Sequence, residues 1–263
     1  MDEDYSKYDI IFKSVQSGAI RTLFEALKEV LTDVNIDFNE TGWKIITMDN
    51  TKVALVHLKL VADSFVLYKC NNPCKIGICI ASLYKLLKIS GNNDIITMYV
   101  LKNDTSRLHI VIENKDKNTI VHSKLKLLDI DEDILDIPDA EFDSVITMPS
   151  NEFQKICRDM SNIAETLIIE SKGDSFSMSV EGDIGEIEID IGETQNGLIF
   201  SKKFEGKNVK GRFDLKYIML FIKSSSLCSQ VEIFLKQDYP LILLYSVANL
   251  GSIKYVLSPK VYD

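Results

Sequence analysis

The sequence predicts an α+β protein of two similar domains, each with two helices packed on antiparallel sheets. Most of the 263-residue chain breaks into short apolar or β-branched runs separated by Asn, Asp and Gly, the pattern of strands joined by tight turns. Only four segments have helical period. The order of elements also repeats. Each half reads as a helix, several strands, a second helix and several more strands, as a duplicated domain would.

In chain order, the first helix spans Ala19–Leu31, with Ile20, Leu23, Phe24 and Leu27 on one face. Strands follow at Asn35–Phe38, Trp43–Met48, Val53–Leu60 and Phe65–Tyr68. The second helix, Ser82–Ile89, gathers Leu83, Leu86 and Leu87. Strands at Ile95–Leu101, Leu108–Glu113 and Thr119–Leu127 complete the first half. The third helix, Ser150–Met160, opens on a Ser suited to capping and aligns Phe153, Ile156, Cys157 and Met160. Strands at Thr166–Glu170, Ser175–Val180, Glu186–Ile191 and Val209–Phe213 lead to the fourth helix, Leu215–Lys223. Val231–Leu235, Leu241–Val247 and Ser252–Leu257 end the series. The expected organisation is a domain over 1–128, a connector over 129–141 and a second domain over 142–263.

Composition narrows the class. Hydrophobic residues make up 46% and charged residues 26%, which describes a folded chain with a core. Five cysteines, an odd number without a CxxC pair, fit a reducing compartment. The acidic start, MDEDYSKYD, does not resemble a secretory signal, and no apolar run approaches a membrane span.

The net charge of −9 comes from 39 Asp and Glu against 30 Lys and Arg. Such a balance argues against nucleic acid only if the cations are scattered. They are not. Arg21 and Lys28 share a stripe on the first helix, Lys85 and Lys88 on the second, Lys155 and Arg158 on the third, Lys216 and Lys223 on the fourth. Any solvated helix face carries Lys and Arg, and Glu25, Glu152 and Asp159 lie near these stripes. Pattern alone therefore leaves a DNA-facing row and an ordinary polar face both open.

Several stretches resemble the proliferating cell nuclear antigen family of DNA sliding clamps. Thr47–Val56 (TMDNTKVALV) resembles the family's SMDxxxVxLV. Lys85-Leu86-Leu87-Lys88 with Gly91–Thr97 resembles the second helix and its GNxDIIT turn. Met148–Phe153 with Ile156–Asp159 resembles MPSxEFxxICRD. Leu135-Asp136-Ile137-Pro138 resembles the connector, and Leu257–Lys260 the LAPK ending. The matches run in order through nearly the whole chain.

The resemblance implies the DNA clamp fold, assembled as a homotrimeric ring with helices inside and sheets outside. It implies a scaffold that holds double-stranded DNA without sequence preference and has no cofactor. At matching positions, Arg21, Lys28, Lys85, Lys88, Lys155, Arg158, Lys216 and Lys223 would line the hole. Thr22 stands where the family often has lysine. Thr119, Ile120, Val121 and His122 of one chain would meet the strand holding Ile187 and Ile189 of the next. A pocket for the QxxΨxxφφ peptides of DNA polymerase and other partners would be formed by Met48, Val53, Leu55, Leu135, Ile137, Pro138, Pro240 and Pro259. Lys52, Ala140, Phe142, Val256 and Ser258 depart from the family's usual rim residues, which implies an altered peptide preference. An ATP-driven clamp loader would be a separate protein, since the chain has no GxxxxGK or GxGxxG. The expected setting is the nucleus or another site of DNA replication, or a cytoplasmic replication factory if the chain is viral. Its Ile-, Lys-, Asn- and Asp-rich composition suggests an AT-rich genome.

Other chemistry is poorly supported. Asp129–Asp133 begins like a calcium loop, but Ile134 and Ala140 stand where Gly and the bidentate Glu are needed. Cys70, Cys74 and Cys79 lack the spacing of a closed zinc site. His57, His109 and His122 lie within strand patterns without an evident nucleophile. The alternatives are a subunit of a heteromeric checkpoint-type clamp and, less favoured, a metal-dependent enzyme using the acidic run.

Overall fold

A computed structural model describes residues 4–49, 51–131, 135, 140–203 and 208–260. The chain forms two compact units, one from Met1–Thr47, His57–Leu135 and Val247–Ser252, the other from Met48–Val56, Asp136–Ser246 and Ile253–Asp263.

The first half of the chain carries β1 (Tyr8–Ser14), α1 (Ser17–Leu27), β2 (Asp33–Asn39), β3 (Gly42–Met48), β4 (Ala54–Val61), β5 (Leu67–Cys70) and β6 (Cys74–Cys79). It continues with α2 (Ile80–Leu87), β7 (Ile95–Leu101), β8 (Asp104–Asn114) and β9 (Thr119–Lys126). The second half carries β10 (Ser144–Pro149), α3 (Ser150–Ser161), β11 (Thr166–Lys172), β12 (Ser175–Gly182), β13 (Gly185–Gly192), β14 (Ile199–Lys202) and β15 (Val209–Asp214). It ends with α4 (Leu215–Phe221), β16 (Gln230–Leu235), β17 (Leu241–Val247) and β18 (Gly251–Leu257).

The two halves have one topology. The strand orders β5-β1-β7-β8-β9 and β6-β2-β3-β4 of the first half are repeated as β14-β10-β16-β17-β18 and β15-β11-β12-β13 in the second. β4 and β18 contribute residues to both units. They pair in each: Val61 N–H donates to Leu250 O in the first (2.9 Å), and Ser258 N–H to Val53 O in the second (3.1 Å).

Each helix lays its apolar stripe on the sheets. α1 buries Ile20, Leu23, Phe24 and Leu27; α2 buries Ile80, Leu83 and Leu87. α3 buries Phe153, Ile156, Cys157 and Met160, and α4 buries Leu215, Ile218 and Phe221. In the first unit they cover an aromatic cluster in which Phe12 meets Phe65 (5.3 Å between ring centres) and Phe24 meets Trp43 (6.4 Å). In the second, Phe221 stacks on Tyr255 at 4.5 Å, whose hydroxyl shares a 2.7 Å hydrogen bond with Ser224. Offset aromatic packing of this kind adds roughly 0.5–1.5 kcal/mol per pair beyond area burial.

Several boundaries differ from the periodicity. α1 begins at Ser17, whose hydroxyl donates to Gly91 O at 2.7 Å, and ends at Leu27. Beyond it Glu29 N–H and Val30 N–H reach back only three residues, to Ala26 O and Leu27 O, so the turn tightens before Leu31. α4 likewise gives way to a 3-10 turn over Ile222–Ser226. Strands β1, β6, β10 and β14 were not anticipated. β1 is sandwiched between β5 and β7, partners remote in sequence.

Candidate nucleic-acid interface and partner pocket

Burying the apolar stripe of each helix turns its cations outward. Lys85 on α2 and Lys88 at its C-cap, Lys155 and Arg158 on α3, and Lys216 on α4 are exposed, as is Lys223 in the 3-10 turn. Among the described residues none of these six joins an ion pair. Unpaired cations on rigid helices suit phosphate contact, because no internal bond must break first.

The two α1 cations are placed differently. Both are half-buried. Arg21 Nη1 donates to Ser90 O and Nη2 to Asn92 Oδ1, which fastens α1 to the loop after α2. Lys28 is hydrogen-bonded to Glu29 and lies over the Tyr84 ring, 5.2 Å from its centre. The bond to Glu29 holds its ammonium above the ordinary lysine range. The stripe visible in the sequence gave no sign of these partners, since Ser90 and Asn92 come close only through the α1–α2 packing.

The β3–β4 turn is organised by Asp49. Its Oδ1 accepts from Val53 N–H (2.9 Å) and Ala54 N–H (2.7 Å), and its Oδ2 from Thr51 N–H (3.1 Å) and the Thr51 hydroxyl. Burial pushes this carboxyl up, but the bonds from Thr51, Ala54 and Val53 outweigh it and hold it below the ordinary 3.8. The Thr51 hydroxyl also shares a 2.6 Å bond with Tyr217 on α4. Lys52 sits in the left-handed region at φ 58°. Beyond the turn, Met48, Val53 and Leu55 are half-buried, as are Pro240 and Pro259. Leu135 is half-buried too, while Ile137 and Pro138 lie outside the described residues. Phe142, half-buried, meets Phe234 edge-on at 5.2 Å and Tyr239 at 5.9 Å. Neither the Asp49–Thr51–Tyr217 chain nor the contacts of Phe142 with Phe234 and Tyr239 can be read from the sequence. The alternation within β16 was the available signal for Phe234.

β9 and β13 stand at the ends of their sheets. Thr119, Ile120, Val121 and His122 are exposed, Ile120 by 61%. Ile187 and Ile189 are half-buried and alternate with exposed Glu186, Glu188 and Asp190.

The family model described as proliferating cell nuclear antigen, N-terminal domain, matches residues 11–135. The corresponding C-terminal domain model matches residues 136–260. The chain belongs to the proliferating cell nuclear antigen family. A Paramecium bursaria Chlorella virus 1 protein named probable DNA polymerase sliding clamp 1 is 40% identical over 98% of this chain and 99% of its own length. The proliferating cell nuclear antigen of Chaetomium thermophilum is 34% identical over 94% of this chain and 96% of its own. As a member of this family, the chain keeps both domains in order, which agrees with the repeated topology. No helix among the described residues is long and apolar enough to cross a membrane.

Proposed function

We propose that this protein is a DNA sliding clamp: three copies close head to tail around duplex DNA and tether polymerase and other replication or repair enzymes to it. The observation that carries this reading is that the duplicated fold pairs two strands inside the chain and leaves their two counterparts at sheet ends. Within the chain β18 stands beside β4, while their counterparts β9 and β13 end their sheets. An unpaired edge invites another strand, and a second copy offers the one that matches. Repeating that join generates a closed ring when the rotation permits.

DNA is then held by enclosure, so the six unpaired helix cations need only weak, sequence-independent phosphate contacts. Arg21 and Lys28 complete the row as partly engaged members. Partners would dock through a short peptide on the Met48, Val53, Leu55, Pro240 and Pro259 surface. Tethering raises their effective concentration at the template. A separate ATP-driven loader would open the ring, and the protein would act where DNA is replicated. The two domains would be 1–128 and 142–263 about the 129–141 connector, and the protein itself would be non-catalytic. The test is absolute mass by light scattering during size-exclusion at several loadings. The expected mass is three times 29.8 kDa, persisting on dilution. A monomer that trimerises only with other proteins would move the heteromeric reading to the front.

A further inference from the structure

The internal duplication supplies a template for the junction between copies, down to its register. β9 and β18 are counterparts, and the residues that follow them align the two. Leu128 N–H donates to Gly77 O, and Lys260 N–H donates to Arg212 O, both at 2.8 Å. Gly77 and Arg212 hold the same place, two residues before the ends of β6 and β15, the strands that lead into α2 and α4. Leu128 therefore matches Lys260, which makes Ile120 the counterpart of Ser252 and Lys124 that of Val256. β13 and β4 are counterparts in turn. The turn before β4 is closed by Asp49 N–H donating to Ala54 O, and the turn before β13 by the Gly182–Gly185 pair. Ala54 thus matches Gly185, Leu55 matches Glu186, and Lys59 matches Asp190.

The register between β4 and β18 is set at both ends. The step from Val53 to Val61 on one strand equals the step from Ser258 back to Leu250 on the other. In that register Leu55 faces Val256, and Lys59 faces Ser252. Resting on the trimer reading above, we infer that β9 of one copy pairs with β13 of the next so that Lys124 faces Glu186, His122 faces Glu188, and Ile120 faces Asp190, and that this charge match makes the join head to tail. The same register sets Val121 against Ile189 and Ser123 against Ile187 on the other face. That covers Val121, now 38% exposed, and the half-buried isoleucines of β13.

Charge selects against the alternatives. β13 paired with another β13 would bring a row of Glu186, Glu188 and Asp190 against itself. β9 paired with β9 would bring Lys124 and Lys126 together. Like charges directly across a strand pair are unfavourable, whereas opposite ones support it. Between β9 and β13, charge therefore favours the unlike pairing, which propagates around a ring.

The experiment combines a charge swap with a register probe. Lys124→Glu is expected to weaken the trimer by about tenfold or more at each junction, the scale of a like-charge clash across an interface. Adding Glu186→Lys to the same chain should restore it. A Lys124→Cys, Glu186→Cys chain should oxidise to a covalent trimer, because a hydrogen-bonded antiparallel pair holds its Cα atoms about 5.5 Å apart, within disulfide range. A Lys124→Cys, Glu188→Cys chain, a diagonal pair at roughly 7–8 Å, should not. The single-cysteine chains control for the native thiols. Light scattering of the reduced chains separates the outcomes. A reduced trimer that cross-links through 124 and 188 and not through 124 and 186 overturns the register. A trimer unaffected by Lys124→Glu overturns the role of charge. Reduced chains, including wild type, that remain monomeric overturn the assembly reading itself.

Discussion

Replacing Asp49 by alanine should destabilise the second unit and loosen the proposed peptide-binding surface together. The carboxylate accepts three backbone N–H groups, from Thr51, Val53 and Ala54. Their exposures differ: Thr51 is exposed, Val53 half-buried and Ala54 fully buried. Water can replace the acceptor at Thr51 and partly at Val53, but not at Ala54. A buried donor left without a partner costs about 1–3 kcal/mol. Asp49→Ala should therefore cost about 2–3 kcal/mol, with Ala54 supplying most of it. Asp49→Asn keeps one oxygen to accept from Val53 and Ala54 but loses the charge and turns the other oxygen into an NH2 that cannot accept from Thr51 N–H, where water can substitute, so about 1 kcal/mol is expected.

The pH dependence has a definite sign. Because the folded carboxyl is held below its ordinary 3.8, its contribution is present above that value and is lost as pH falls through the folded pKa. The advantage of wild type over Asp49→Asn should thus be full at neutral pH and shrink at an acid pH below 3.8. Urea unfolding midpoints measured at both pH values provide the assay, with aromatic-peptide titration alongside. An Asp49→Ala change within about 0.5 kcal/mol of wild type would refute the reasoning. So would a gap between wild type and Asp49→Asn that does not move with pH.

Replacing Lys155 and Arg158 together by alanine should lower the slope of log Kobs for short duplex DNA against log salt, by up to about 0.9 for each phosphate no longer neutralised. Arg21→Ala should change that slope less and reduce thermal stability more, because its guanidinium is bonded to the loop after α2; anisotropy titrations over a salt series compare them, and identical slopes for wild type and the double variant would remove the two residues from the interface. Gly42→Ala should destabilise the chain by at least about 2 kcal/mol, since Gly42 has φ 138° and an added Cβ would lie 2.0 Å from Leu60 O. A melting temperature equal to wild type would contradict that geometry.

The helix faces were legible because helical periodicity is local. Phe153, Ile156, Cys157 and Met160 are all buried, as their spacing requires, and burial pushes the Cys157 thiol well up, consistent with its place as a small core side chain. The motif series through Met48, Ile95 and Met148 was legible because it depends on residue identity alone. β1 and β10 were harder, because a strand's assignment depends on remote neighbours. β10 finds them in β14 and β16.

Sequence by itself determined the family, the two-domain duplication, the buried stripe of each helix and the clustering of cations opposite those stripes. These follow from residue identity and short-range spacing. Tertiary structure decided which cations remain unpaired, that Asp49 holds the β3–β4 turn against Tyr217 of α4, and which strands end their sheets. Each of those depends on groups far apart along the chain, which the packing of helices on sheets brings within hydrogen-bonding distance or leaves at an edge.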